Sequence, residues 1–221
     1  MQHQKRKKSK QKESLRTIQQ SENTFKTKYA FVNLSTPEVT TEVKDLKKVR
    51  ENFVPFGKDN LFPQYLSELK RQSSTHRSVL AQKTTFTTGG GFLTSDEKLS
   101  DFIQDVNANG ESLKDCFKKL ADDYYTYGNA YLEGVVYDGG VNFYHKDAAT
   151  ARMSKDKKSV LFNSDWTNYT RNKDKTQTIS VYPNVSNGRF VIHYKDYEST
   201  FNFYGLPDYV AALEHIVFFF F

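Results

Sequence analysis

S-L-K-D-C-F-K-K-L-A-D-D-Y-Y-T-Y-G-N-A-Y-L-E-G-V-V-Y, residues 112–137, changes period once, at Gly128. Before the glycine, Leu113, Phe117, Leu120 and Tyr124 recur at helical spacing, behind a Ser-x-x-Asp start at Ser112 and Asp115. Tyr124, Tyr125 and Tyr127 cluster at the helix end, and Gly128 suits the left-handed residue that closes a helix. Asn129-Ala-Tyr-Leu-Glu133 then opens a stretch of period two. A helix passes directly into a strand here. The chain before this junction reads as helical and the chain after it as β, so the fold class is α+β.

Moving toward the N-terminus, Thr94-Ser-Asp-Glu97 reads as a capping box, followed by an apolar stripe of Leu99, Phe102, Ile103 and Val106. Asn107-Ala-Asn-Gly110 ends that helix. Its short loop to Ser112 predicts an antiparallel helical hairpin over about 95–127. Further upstream a helix begins at Ser73 or Ser74, carries His76, Val79, Leu80 and Lys83, and ends in T-T-G-G-G at 87–91. No Gly-Lys-Ser/Thr comes after that triplet, so it reads as a turn or helix C-cap and not as a phosphate loop. Pro55 and Gly57 break the chain; Asp59 or Asn60 can cap the next helix, Pro63 fits its first turn, and Leu61, Tyr65, Leu66 and Leu69 keep helical spacing. Tyr29–Leu34 reads as a short strand and Glu42–Arg50 as a short charged helix.

Moving toward the C-terminus, Tyr131–Tyr137 and Val141–Tyr144 flank Asp138-Gly-Gly140, a hairpin signal. Residues 148–153, 159–162, 177–182 and 189–194 read as further short strands, Asn187-Gly188 as a tight turn, and the polar run 163–175 as a loop. Gly205 turns the chain, Pro207 suits a first helical turn, and Tyr209, Val210, Leu213, Ile216 and Val217 form the apolar face of a terminal helix over about 206–217. That helix runs into four phenylalanines without a cap, which reads as a truncated or frameshifted end. The organisation expected is a disordered tail over 1–26, an α+β domain over 27–204, and the start of a longer helix over 205–221.

Residues 1–12 carry Lys5, Arg6, Lys7, Lys8, Lys10 and Lys12 and no acid, which accounts for the whole formal net charge of +6. The isoelectric point near 9.1 and mean hydropathy of −0.71 therefore describe a cationic arm on a formally neutral body. Such an arm can gain affinity for nucleic acid by counterion release, or serve only to keep the chain soluble. One cysteine, Cys116, excludes an intramolecular disulfide framework and any multi-cysteine metal site. No apolar run approaches the ~20 residues of a bilayer span, and the charged N-terminus lacks the apolar core of a signal peptide. The 14 tyrosines and 18 phenylalanines suit a β-rich core and broad subunit contacts.

Catalytic and metal patterns are missing from the sequence. His3, His76, His145, His193 and His215 show no ligand spacing, and no nucleophile elbow, kinase set or dinucleotide fingerprint occurs. No cofactor is implied. Asp122-Asp123 reads as a solvated helix edge and Glu133 as a cross-strand or surface residue. A spatially assembled site around Glu133, His145 or His193 is the enzyme alternative, and it requires a pocket joining them.

Three motifs in order resemble the bacteriophage portal proteins. Y-T-Y-G-N-A-Y-L-E (125–133) is similar to the family's helix-to-strand junction. Y-G-L-P-D-Y-V-A-A-L (204–213) is similar to its Y-G-x-P-x-Y-x-x-A-L before a long helix. S-S-T-H-R-S-V-L-A-Q-K (73–83), ending in G-G-G-F (89–92), is a looser match. The resemblance covers roughly 55–215. It implies a wing-like portion and stem start of a ring, typically of twelve subunits, at one capsid vertex. Double-stranded DNA would pass through its axis, and the large terminase, capsid or scaffold protein, and head-completion or tail connector proteins would dock on it. The location implied is the virion, after assembly in the host cytoplasm, without membrane or catalysis. Gly128, Asn129, Tyr131, Glu133, Gly205 and Pro207 are then structural junction residues, and the Lys5–Lys12 arm is the candidate nucleic-acid contact. The alternative is a nucleic-acid-binding α+β module that uses the same arm.

Overall fold

The computed structural model describes residues 49–199, 201–213 and 216. These all belong to one compact unit. The basic tail, the 29–34 strand and most of the 42–50 helix lie outside the described residues; Val49 and Arg50 have no regular structure.

Among the described residues four α-helices come first: α1 (Phe62–Gln72), α2 (Ser74–Thr88), α3 (Glu97–Gln104) and α4 (Leu113–Tyr127). Six strands come after them: β1 (Asn129–Tyr137), β2 (Gly140–Lys146), β3 (Ala151–Met153), β4 (Ser159–Phe162), β5 (Gln177–Ser180) and β6 (Arg189–Lys195). The fold is α+β, with two antiparallel three-stranded sheets ordered β2-β1-β6 and β3-β4-β5. A parallel bridge between Val181 and Val191 joins them. No helix among the described residues is long and apolar enough to cross a membrane.

Side chains alternate across β1, so each face of the first sheet has its own partner. Tyr131 and its neighbour Val191 on β6 enter the main core with Leu66 and Leu69 of α1, Met153, Val160, Phe162 and Ile179 of the second sheet, and Phe203 and Tyr204. Ala130 and Leu132 point the other way, toward α4. Helix α2 covers α4 from outside through His76, Leu80, Thr84 and Thr88. A smaller cluster of Phe53, Leu161 and Trp166 packs under Leu61 and Tyr169.

Local chemistry explains the boundaries. Ser73 accepts from the His76 amide and starts α2; Ser112 accepts from the Asp115 amide and starts α4. Several expectations are corrected. Helix α3 starts at Glu97 because Asp96, not Thr94, is the N-cap and accepts from the Leu99 amide. It buries none of its residues: Leu99 is exposed, and Val106 is buried beyond the helix end. The main helical partner of α4 is α2 and not α3, so the 95–127 hairpin is the lesser contact. Neither Asp59 nor Asn60 is the N-cap of α1. That position is Leu61, and Asn60, at φ 64°, turns its side chain back to the Phe56 amide. Residues 148–150 form a 3-10 turn before β3. The terminal helix opens with a 3-10 turn over Asp208–Ala212, with Pro207 extended ahead of it; Leu213 and Ile216 are α-helical, and the rest of the expected 206–217 helix lies outside the described residues.

Candidate functional site

The 125–133 and 204–213 motifs, far apart in sequence, meet at Asn129. Helix α4 ends at Gly128 in the left-handed conformation (φ 68°), with its amide bonded to the Tyr124 carbonyl. Gly128 also accepts from the Asp196 amide at 2.8 Å. The 205–207 segment lies directly against it. A Cβ on Gly128 would sit 2.4 Å from the Leu206 carbonyl carbon, and one on Gly205 would sit 2.2 Å from the Gly128 oxygen. Two glycines are needed because two backbones touch.

Asn129 fills its whole hydrogen-bonding capacity in that contact. Its Nδ2 donates to the Tyr127 and Gly205 carbonyls at 2.8 and 2.9 Å. Its Oδ1 accepts from the Gly205 amide at 2.9 Å and pairs with His193 Nε2 at 2.9 Å. The side chain thus treats Gly205 as a strand neighbour would, through both amide and carbonyl. Two carbonyl partners fix the amide orientation, so Oδ1 is the acceptor and His193 the donor. Burial, and then the Lys195 charge, depress the His193 pKa to about 3, so it donates as neutral imidazole. Its ring stacks on Tyr131 with centroids 4.4 Å apart.

Flanking residues extend this lock. Tyr204 stacks on Phe56 at 4.2 Å, accepts from the Met153 amide at 3.0 Å, and donates to the Val54 carbonyl. The Tyr209 hydroxyl donates to the Thr126 carbonyl. Pro207 is buried, and its carbonyl accepts from the Val210 amide. Glu133, only 4% exposed, pairs with Arg189 and lies 3.7 Å from Lys146. It is therefore a cross-strand residue and not a surface one. Its spacing of two from Tyr131 puts both on the inward face, a signal legible in the sequence.

Asp123 overturns the reading of a solvated carboxylate pair. Asp122 does face outward, where it pairs with Lys70 at 2.7 Å. Asp123 is buried and bonds His145 Nε2 at 2.7 Å and the Ala148 amide at 2.8 Å. Burial pushes its carboxyl above the usual range, and the bond to His145 opposes this in part. Asp123 continues the helical face of Cys116 and Leu120, which is how the sequence marks it as buried. His145 sits opposite Leu132, whereas Glu133 and His193 share the other face of the sheet. The structure therefore brings no pocket to Glu133, His145 and His193 together. Among the described residues no group of three or more His, Cys, Asp or Glu side chains is placed to hold a metal.

Arg152 was not singled out by sequence. Its guanidinium is fully buried, and among the described residues no carboxylate is bonded to it. It donates instead to Asn60 Oδ1 and O at 2.6 Å, to Gln64, and to the Ala149 and Ala151 carbonyls. It lies 4.9 Å over Trp166, and burial lowers its pKa to about 10.

The fold resembles that of chains in gene transfer agent particles. A chain in the virion of a native gene transfer agent particle matches with a TM-score of 0.55 and 16% identity, over 71% of this chain and 42% of that one. Chains in the neck of the empty particle, computed with C6 symmetry, and of the native particle, computed with C12 symmetry, match with TM-scores of 0.53 and 0.52 at 15% and 16% identity. These cover 71% and 70% of this chain and 43% and 42% of theirs, so the chain spans about two fifths of the structures it matches. No protein-family model matches the sequence, and no curated protein matches it.

Proposed function

We propose that this chain is a structural subunit of a phage-like particle, the wing portion of a portal protein that forms a ring at the capsid vertex. The observation that carries the reading is the likeness of its fold to chains in particle necks computed with sixfold and twelvefold symmetry. The interlocked junction supports it independently: the two motifs most similar to portal sequences contact each other through Asn129 and Gly205. A part that must bear load between neighbours gains from such a rigid joint.

On this reading DNA passes through the ring during packaging and ejection. Terminase, capsid or scaffold protein, and connector proteins dock on its faces, and the chain itself performs no catalysis. The Lys5–Lys12 arm would then touch DNA, scaffold or capsid. Negative-stain microscopy of the full-length protein tests the proposal. Rings with an axial hole are expected; a strict monomer under assembly conditions refutes it. A co-purified ring should also bind its large terminase, which separates a portal from other neck rings.

A further inference from the structure

Among the described residues two fully buried side-chain polar atoms lack a hydrogen-bond partner, the Tyr65 hydroxyl and His76 Nε2. Such orphans are rare enough in a folded domain to need a reason. His76, 7% exposed, lies in the first turn of α2, where Ser73 Oγ accepts from its amide at 3.2 Å. Its ring meets the Tyr209 ring at 70°, with centroids 4.3 Å apart. Tyr209 belongs to the 208–212 turn, and its hydroxyl donates to the Thr126 carbonyl. Further along the same face of α2, Lys83 pairs with Asp208. Helix α2 therefore seats the terminal turn at two points, an exposed ion pair and a buried aromatic contact.

The buried contact suits only a neutral imidazole. Whichever nitrogen carries the proton of the neutral ring, charging puts an N–H on Nε2, and no acceptor is there to take it. The charge would also sit at the N-terminal end of a helix, the end that disfavours cations. The charged groups around the ring do not offset this. Lys70 of α1 opposes a second cation and is itself bonded to Asp122 of α4 at 2.7 Å; Asp208 favours one but is already paired with Lys83. Burial is the largest cause, and the balance holds the His76 pKa below its ordinary value. The phenols of this region, Tyr65, Tyr127 and Tyr209, are all pushed up and stay protonated.

We propose that His76 makes the seat of the 208–213 turn sensitive to protons: its imidazole accepts one only when Tyr209 lifts away, so acidification frees the turn while the rest of the domain stays folded. The inference stands apart from the ring reading. Hydrogen exchange at about pH 7 and about pH 5 tests it, read at the Val210 amide, which bonds the Pro207 carbonyl, and at the Leu213 amide, which bonds the Val210 carbonyl. After correction for the intrinsic rate, both amides of the wild-type chain should exchange about tenfold faster at the lower pH, the linkage expected of one histidine that regains its ordinary pKa once uncovered. His76→Phe and His76→Gln have nothing to protonate and should show no such increase, whereas His193→Phe should keep it. An NMR titration should place the wild-type His76 pKa below that measured in Tyr209→Ala, where the ring is uncovered. Exchange indifferent to pH in the wild-type chain, His76 variants that respond as it does, or loss of the response in His193→Phe would each overturn the assignment. So would a His76 ring that titrates alike with and without Tyr209.

Discussion

Replacing Asn129 by alanine would remove four hydrogen bonds at once, and their settings fix the magnitude. The two to Gly205 are buried, while those to Tyr127 and His193 are part-buried. A buried polar group left without a partner costs about 1–3 kcal/mol, and a group that water can reach costs much less. The Gly205 amide and carbonyl therefore set the scale, and Asn129→Ala should destabilise by about 3–5 kcal/mol. That is a large share of the ~5–15 kcal/mol typical of a domain. Urea unfolding tracked by circular dichroism measures it, with an unchanged slope showing that the same surface unfolds. Asn129→Asp sharpens the test. It keeps the oxygen that accepts from Gly205 and His193 but turns its other oxygen toward two carbonyls. Its folded-state pKa should rise above the ordinary value of about 3.9. A carboxyl with a raised folded pKa is tolerated below the unfolded value and loses stability as pH rises through the folded one. Asn129→Asp should thus be at least as unstable as alanine at about pH 7 and recover toward about pH 4. A loss below about 1 kcal/mol for alanine, or an aspartate variant indifferent to pH, would refute the lock between the two motifs.

Gly128→Val places a β-branched residue at φ 68° with its Cβ 2.4 Å from Leu206, so it should cost more than about 2 kcal/mol; unchanged melting would refute the cap. Arg152→Met takes the guanidinium from the Asn60 carbonyl and Gln64 Oε1, leaving Asn60 Oδ1 only the Phe56 amide, and should cost about 3 kcal/mol, with Arg152→Lys recovering less than half because one ammonium cannot span those acceptors; equal stability of the lysine and arginine forms would contradict this. His193, held neutral with a pKa near 3, gives an acid-side sensitivity. The unfolded chain binds that proton below about pH 6.5, so stability should fall from about pH 7 to pH 5, by no more than about 2 kcal/mol over that window. His193→Phe keeps the stacking on Tyr131 and should flatten that part of the profile; an unaltered slope over the same pH range would contradict the assignment.

The helix-to-strand turn at Gly128 was legible because two periodicities meet there, and local patterns of that kind also marked β1, β2, β4 and β6 closely. The errors share a physical origin. Asp122 and Asp123 are chemically identical neighbours, and only the helical face that continues Cys116 and Leu120 separates the one at the surface from the one buried on His145. Thr94 and Asp96 compete for one N-cap, and both have suitable side chains, so composition does not choose between them. Asn60 was read as a helix cap because Asn commonly is one. Its carbonyl oxygens instead satisfy Arg152, which arrives from a distant strand. No local pattern reports a partner that distant.

That same distance gives the two motifs their meaning. Taken alone, Asn129 after a helix-ending glycine is an ordinary turn residue, and Gly205 before a proline is an ordinary break. Placed in contact, each explains the other. Gly205 lacks a side chain because its backbone must lie against the Gly128 oxygen, and Asn129 is an amide because it must offer two donors and two acceptors at once. Aspartate lacks the donors, glutamine places its amide one methylene too far, and serine is too short to bridge both groups of Gly205. The residue type at 129 is therefore set by a backbone held at 205. The joint sets where the 208–213 segment leaves residue 205, and Tyr209, bonded to the Thr126 carbonyl, then holds its first turn on α4.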